Sequence, residues 1–211
     1  MKKNKAILLI ILLLISTIGL SQNEEKTEKE YYENGQIAYI GNTIDGKPTG
    51  EWKTYHENGK IKEIGNFIDG KETGEWKYYN EEEQLLLIGN YIDGKQTGEW
   101  VKYDWDGLLE SVGHYIAGKQ TGEYKTYYGH GQLNLIGNFI DGKETGEWKY
   151  YYENGILQGM INFINGKQTG ESKAYHENGK LQAIGNFIDG KQTGEWKFYN
   201  EKGKLEEKIN Y

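Results

Sequence analysis

The pair Gly-Glu recurs at Gly50-Glu51, Gly74-Glu75, Gly98-Glu99, Gly122-Glu123, Gly146-Glu147, Gly170-Glu171 and Gly194-Glu195, always 24 residues apart. A fixed period of this size marks a repeat array, in which each unit buries its apolar surface against its neighbours. The same period constrains function. A catalytic group is normally needed once, whereas a residue needed seven times holds a repeat together.

Residues 50–73 make one unit. Glu51 to Tyr55 alternates aromatic and polar side chains, as a short strand does. Asn58-Gly59 follows, a tight-turn dipeptide in which both residues accept positive φ. Ile61 to Ile68 reads as a second strand, Asp69-Gly70 as another tight turn, and Thr73-Gly74 as the passage to the next unit. The isolated Gly65 predicts a bulge near Gly65-Asn66 or a close backbone approach. Two strands and two reversals per unit, with no helical period anywhere, predict an all-β fold: an elongated, single-layer antiparallel β-meander of stacked 24-residue hairpin repeats. Strands lie about 4.8 Å apart, so a unit advances about 10 Å and the array about 70–80 Å.

Overlaying the units separates scaffold from variation. The Tyr series from Tyr31 to Tyr199, the Ile series from Ile44 to Ile188 and the turn glycines from Gly46 to Gly190 are unbroken. The Trp series (Trp52, Trp76, Trp100, Trp148, Trp196) is interrupted by Tyr124 and Ser172. Such ladders of like side chains stand in for a globular core.

Before the array, a basic start (Lys2, Lys3, Lys5), an apolar run from Ala6 to Leu20 and a small-residue end at Ser21 read as a signal peptide, residues 1–21. The competing reading is an uncleaved anchor formed by residues 6–20, close to the shortest span that crosses a bilayer. Cleavage takes Lys+Arg from 25 to 22 against 32 acids, a net charge of −10, which argues against nucleic acid or anionic lipid as the main partner. The chain has no Cys, so an exported form relies on packing and strand pairing alone. Residues 22–30 are polar with no apolar face and read as a flexible leader; residues 31–211 are the array, seven full registers with partial ends.

The run Phe67-Ile68-Asp69-Gly70-Lys71-Glu72-Thr73-Gly74-Glu75-Trp76-Lys77-Tyr78-Tyr79 resembles the MORN repeat. With the Asn-Gly turn and the Ile-Gly-Asn-Phe segment it is similar to the bacterial MORN-variant repeat, as found in proteins labelled YwqK-family antitoxins. The resemblance spans residues 31–211 and implies a MORN-like solenoid with a shallow aromatic groove. It further implies protein interaction or, in some relatives, lipid contact. An antitoxin role implies neutralising one dedicated toxin, ordinarily in the cytoplasm, whereas this chain carries an export-type start.

Candidate chemistry is sparse. His56 and His176 share a repeat position about 50 Å apart by strand spacing, and His114 and His130 lack a companion ligand motif, so no metal site is expected. The Glu and Lys rows read as solvated edges, and Asp before a turn Gly is the ordinary turn choice. No catalytic residue and no cofactor is expected. The candidate binding residues are the aromatic row Trp52, Trp76, Trp100, Trp148 and Trp196, together with the irregular Trp105, Tyr128 and His130. Where the repeat fails, at residues 104–131 and 156–174, a specific site is expected. The function expected is an exported, non-enzymatic scaffold that binds a protein or a surface glycan along an aromatic face. The alternative is an antitoxin or immunity protein. Nucleic acid is not expected, and membrane contact only through an uncleaved N-terminal segment or weak lipid contact.

Overall fold

A computed structural model describes residues 24–211; the signal peptide expected at residues 1–21 lies outside them. Sixteen strands follow one another in a single antiparallel sheet whose spatial order is the chain order. They are β1 (Glu25–Tyr31), β2 (Ile37–Ile44), β3 (Lys47–Tyr55), β4 (Ile61–Ile68), β5 (Lys71–Tyr79), β6 (Leu85–Ile92), β7 (Lys95–Tyr103) and β8 (Leu109–Ile116). Then come β9 (Lys119–Tyr127), β10 (Leu133–Ile140), β11 (Lys143–Tyr151), β12 (Leu157–Ile164), β13 (Lys167–Tyr175), β14 (Leu181–Ile188), β15 (Lys191–Tyr199) and β16 (Leu205–Asn210). The expected meander is therefore present, with no helix among the described residues.

Turn chemistry fixes the two margins of the sheet. At the Asp-Gly margin Asp69 (φ 51°) and Gly70 (φ 79°) both lie in the left-handed region, the two-residue turn that matches strand twist. The Asn-Gly margin differs from expectation. Only Gly59 has positive φ; Gly59 N donates to His56 O and His56 N to Lys60 O, a three-residue loop closed by a left-handed glycine. Asn58 stays right-handed because its side chain is used instead, accepting from Lys60 N through Oδ1.

Residues 25–30 are not a flexible leader. Strand β1 pairs with β2 from Glu25↔Ile44 to Tyr31↔Ile37. Its backbone bonds suffice without an apolar face, and its charges protect the open edge of the sheet. Likewise Thr73-Gly74 is not a passage between units but the middle of β5. Asn66 pairs with Thr73 and Ile64 with Lys77, so Gly65 faces the excursion Gly74-Glu75-Trp76, with Gly74 at φ 66°. The expected irregularity at Gly65-Asn66 is this bulge, and it repeats in each unit.

The bulge swings each Trp over the glycine of the preceding strand. A Cβ built on Gly65 would lie 2.1 Å from Trp76 Cδ2, and the same contact recurs for Gly89 with Trp100, Gly137 with Trp148 and Gly185 with Trp196. Glycine is required here because the indole occupies the space of its side chain. Trp76, Trp100, Trp148 and Trp196 are thereby buried, and they are most of the core. Phe and Tyr side chains complete it edge to face. Trp52, Phe67, Trp76, Tyr91, Trp100 and Tyr115 follow in succession with ring centroids 5.0–6.3 Å apart. Each such pair adds about 0.5–1.5 kcal/mol beyond area burial.

One unit breaks the rule in compensated form. Ile161 stands at the glycine position and Ser172 at the Trp position, and Ile161 is buried. The large side chain has moved from one strand to the other. The irregularity at Ile161 and Ser172 is thus an internal exchange of volume. At the C-terminal end, Ile209 also occupies the glycine position, paired with Trp196. A Trp on the next strand would collide with it, as at Ile161, which faces Ser172 instead.

Candidate functional site

The scattered candidate residues are not brought together. Trp76, Trp100, Trp148 and Trp196 are about 4–6% exposed, and Trp52 is half-buried and stacked on Tyr39 at 5.5 Å. The Trp row is core and presents no indole to a ligand. The reason is the strand bulge, which lays each indole flat on backbone where an ordinary strand would project it.

Tyr128 and His130 belong to the Asn-Gly margin and stitch one loop to the next. Tyr128 Oη donates to Tyr151 O at 2.6 Å, and His130 Nε2 lies 3.0 Å from Glu153 O, which requires that nitrogen to carry the proton. His56 and His176 do the same toward Tyr79 O and Tyr199 O, and Tyr32 and Tyr152 toward Tyr55 O and Tyr175 O. Asn34, Asn58, Asn154 and Asn178 add a parallel bond to the carbonyl 23 residues on. These residues are structural stitches, spaced by one unit.

The stitching lapses around Asp104. Asp104 Oδ1 accepts from Asp106 N and Leu108 N inside its own loop, and Asn80 turns inward in the same way. Among the described residues no side-chain bond ties the loop at residues 104–108 to either neighbour. Trp105, in this loop, is 68% exposed, and Leu108 beside it is exposed as well. Of the eight candidates, Trp105 alone offers its full indole to solvent.

The residues that sequence reading missed lie on the face opposite the Trp row. There Lys53, Lys77, Lys125, Lys149, Lys173 and Lys197 each bond the Glu two residues earlier at 2.5–3.1 Å. The Glu hydrogen bond is the first cause raising the ammonium pKa of each of these lysines. In β7 the pattern reads Glu99-Trp100-Val101, and the lysine is gone. The signal was present in the sequence: six copies of Glu-x-Lys and one exception.

Val101 pairs with Ile88 on one side and Val112 on the other, making an apolar strip where other units alternate Ile and Lys. Glu99 pairs across the strands with His114, whose Nε2 is 3.7 Å from its carboxylate; other units carry Asn there. Beside it is a shallow depression of about 460 Å³, lined mainly by Thr97, Gly98, His114, Tyr115, Ile116 and Gly122. Ile116 is 66% exposed, and Ala117 after it holds φ 51°, where other units place Asp or Asn. No group of three or more His, Asp or Glu suited to a metal occurs among the described residues.

Comparison with known proteins places the fold and little else. Among solved structures, one titled as a Photorhabdus luminescens Tc holotoxin pore matches 88% of this chain and 12% of its own at 16% identity, with TM-score 0.24. A complex titled as accessory secretory protein 1, 2 and 3 of Streptococcus pneumoniae matches 69% of this chain and 22% of its own at 13% identity, with TM-score 0.19. A GtfA/B complex bound to UDP and GlcNAc matches 54% and 23% at 13% identity, with TM-score 0.24. This chain spans less than a quarter of the length of each, and likeness at that level says nothing of activity. No curated protein matches the chain. The family profile described as MORN repeat variant matches residues 24–45, 48–69, 72–93, 120–141, 144–165, 168–189 and 192–211. It passes over residues 94–119, where Val101, Val112 and His114 sit on strands as regular as the rest and Trp105 lies in the loop between them. With seven matched units covering well over half its length, this chain belongs to the MORN repeat variant family.

Proposed function

We propose that the protein is a non-enzymatic binding scaffold in which seven units build a rigid platform and one, residues 94–119, presents a site to a protein partner. The carrying observation is the coincidence of regular strands with aberrant surface side chains in that unit: Val101, Trp105, Leu108 and His114 change what is exposed, while β7 and β8 keep their register. Drift in a scaffold position would disturb packing first. Here the buried glycine–Trp contact of Gly89 with Trp100 is intact. The signal-type residues 1–21 support export, and the protein acts in the periplasm, at the cell surface or outside the cell on this reading.

Binding is tested by affinity capture on residues 22–211 with a glycan array in parallel. Specific capture of one protein is the result expected; specific retention of lipid vesicles with no protein would contradict the reading. The similarity to YwqK-family antitoxins supplies the alternative that the partner is a toxin. It is selected if the captured protein is toxic when expressed alone and harmless when co-expressed.

A further inference from the structure

Six of the seven strands of the Glu-x-Lys pattern neutralise their own carboxylate within the strand. In the seventh, Val101 removes the cation, so among the described residues Glu99 has no lysine within ion-pair reach and only His114 near it, at 3.7 Å. The uncompensated charge lies beside the apolar strip of Ile88, Val101 and Val112 and the depression around His114 and Ile116. A carboxylate next to apolar surface is matched by one side chain above others. Arginine has a long apolar stem and a planar, weakly hydrated guanidinium that meets a carboxylate through two parallel N–H bonds. Lysine, a compact and strongly hydrated charge, fits the apolar surround less well.

We propose that Glu99, Val101, Val112, His114 and Ile116 form a docking site for an arginine flanked by apolar residues on a protein partner. This rests on the scaffold reading above and names the chemistry of its partner. The guanidinium replaces, from outside, the lysine that the other units supply from within. Glu123 does not compete for it, since Lys125 already holds that carboxylate at 2.5 Å. Overall charge favours the encounter, with 32 acids against 25 basic residues in the chain.

The test is an NMR titration of the protein with two capped pentapeptides, one with arginine and one with glutamate between leucines. The arginine peptide is expected to give saturable shifts at the amides of Gly98, His114 and Ile116, and little at the equivalent Gly146, Asn162 and Ile164. Val101→Lys restores the lysine the other units carry, so the fold is kept. It and Glu99→Gln are each expected to weaken the arginine response by about three- to tenfold, the scale of a partly exposed charge contact. Equal shifts from both peptides, uniform shifts across all units, or no effect of Val101→Lys would overturn the site. A captured partner whose binding is indifferent to Val101→Lys would overturn it too, while leaving the scaffold reading standing.

Discussion

The sharpest physical consequence of the fold concerns the glycine under each indole. Replacing Gly137 by Ile places a Cβ 2.1 Å from Trp148 Cδ2, where ordinary contact begins near 3.4 Å. The indole cannot retreat, because Tyr124, Phe139 and Phe163 pack around it at 5.0–6.5 Å between centroids. Overpacking of this kind costs about 3 kcal/mol, the upper end of its usual range. Trp148→Ser alone empties the same volume and costs about 4 kcal/mol. If the two effects were independent, the double variant would lose about 7 kcal/mol. Ile161 and Ser172 occupy these two positions together in their own unit, so the double variant is expected to lose only about 4, a coupling of about 3 kcal/mol. Amide exchange of β10, β11 and β12 is the suitable assay, since repeat arrays open locally and a single unfolding free energy is ill-defined for them. The double variant should exchange about a hundredfold more slowly than additivity allows. Additive protection losses would refute the idea that Ile161 and Ser172 are an exchanged pair.

Two further outcomes follow from backbone and charge. Ala117 is in the left-handed region without the side chain that suits it, and Asn is tolerated there, so Ala117→Asn is expected to stabilise its hairpin by about 1 kcal/mol, slowing exchange of the β8 and β9 amides about fivefold. Unchanged or faster exchange there would remove strain from the account of that turn. Glu195 has its carboxyl pKa lowered by hydrogen bonds from Lys208 and Lys197, with their charges adding to the effect. A lowered carboxylate stabilises above its unfolded value and loses that contribution as pH falls through the folded one. Exchange of the β16 amides should therefore accelerate below about pH 4.5, its ordinary value, and Glu195→Gln should abolish that step. A step that survives the substitution would assign it to another group.

Much of the architecture was legible because its signals are local. Asp69-Gly70, the Tyr series and the alternation of Glu51 to Tyr55 each need only nearby residues to be understood. Gly65 was flagged as a bulge or a close approach, and it is both. Its overlying Trp76 is 11 residues away, however, and the contact depends on the offset introduced at Gly74. That offset also explains why the Trp row was taken for a binding face. Alternation alone cannot tell an indole that lies flat on backbone from one that projects into solvent. Strand β1 was missed for the opposite reason, since Glu25 to Glu30 has no apolar face and is held by backbone pairing to β2. Of the candidate site, Trp105 was legible as an irregular residue. Val101 was not, because its meaning lies in the lysine that six other strands place at that position.

The central claim is that the scaffold is common to all units and recognition is confined to residues 94–119. The most direct measurement compares partner capture by the wild-type chain with two repaired chains. One carries Val101→Lys, Trp105→Glu and His114→Asn, which restore the pattern of the other units; the other carries Ile161→Gly with Ser172→Trp, which repairs the unit at residues 156–174. Capture should be lost in the first and kept in the second. Capture retained in the first, or lost only in the second, would contradict the claim.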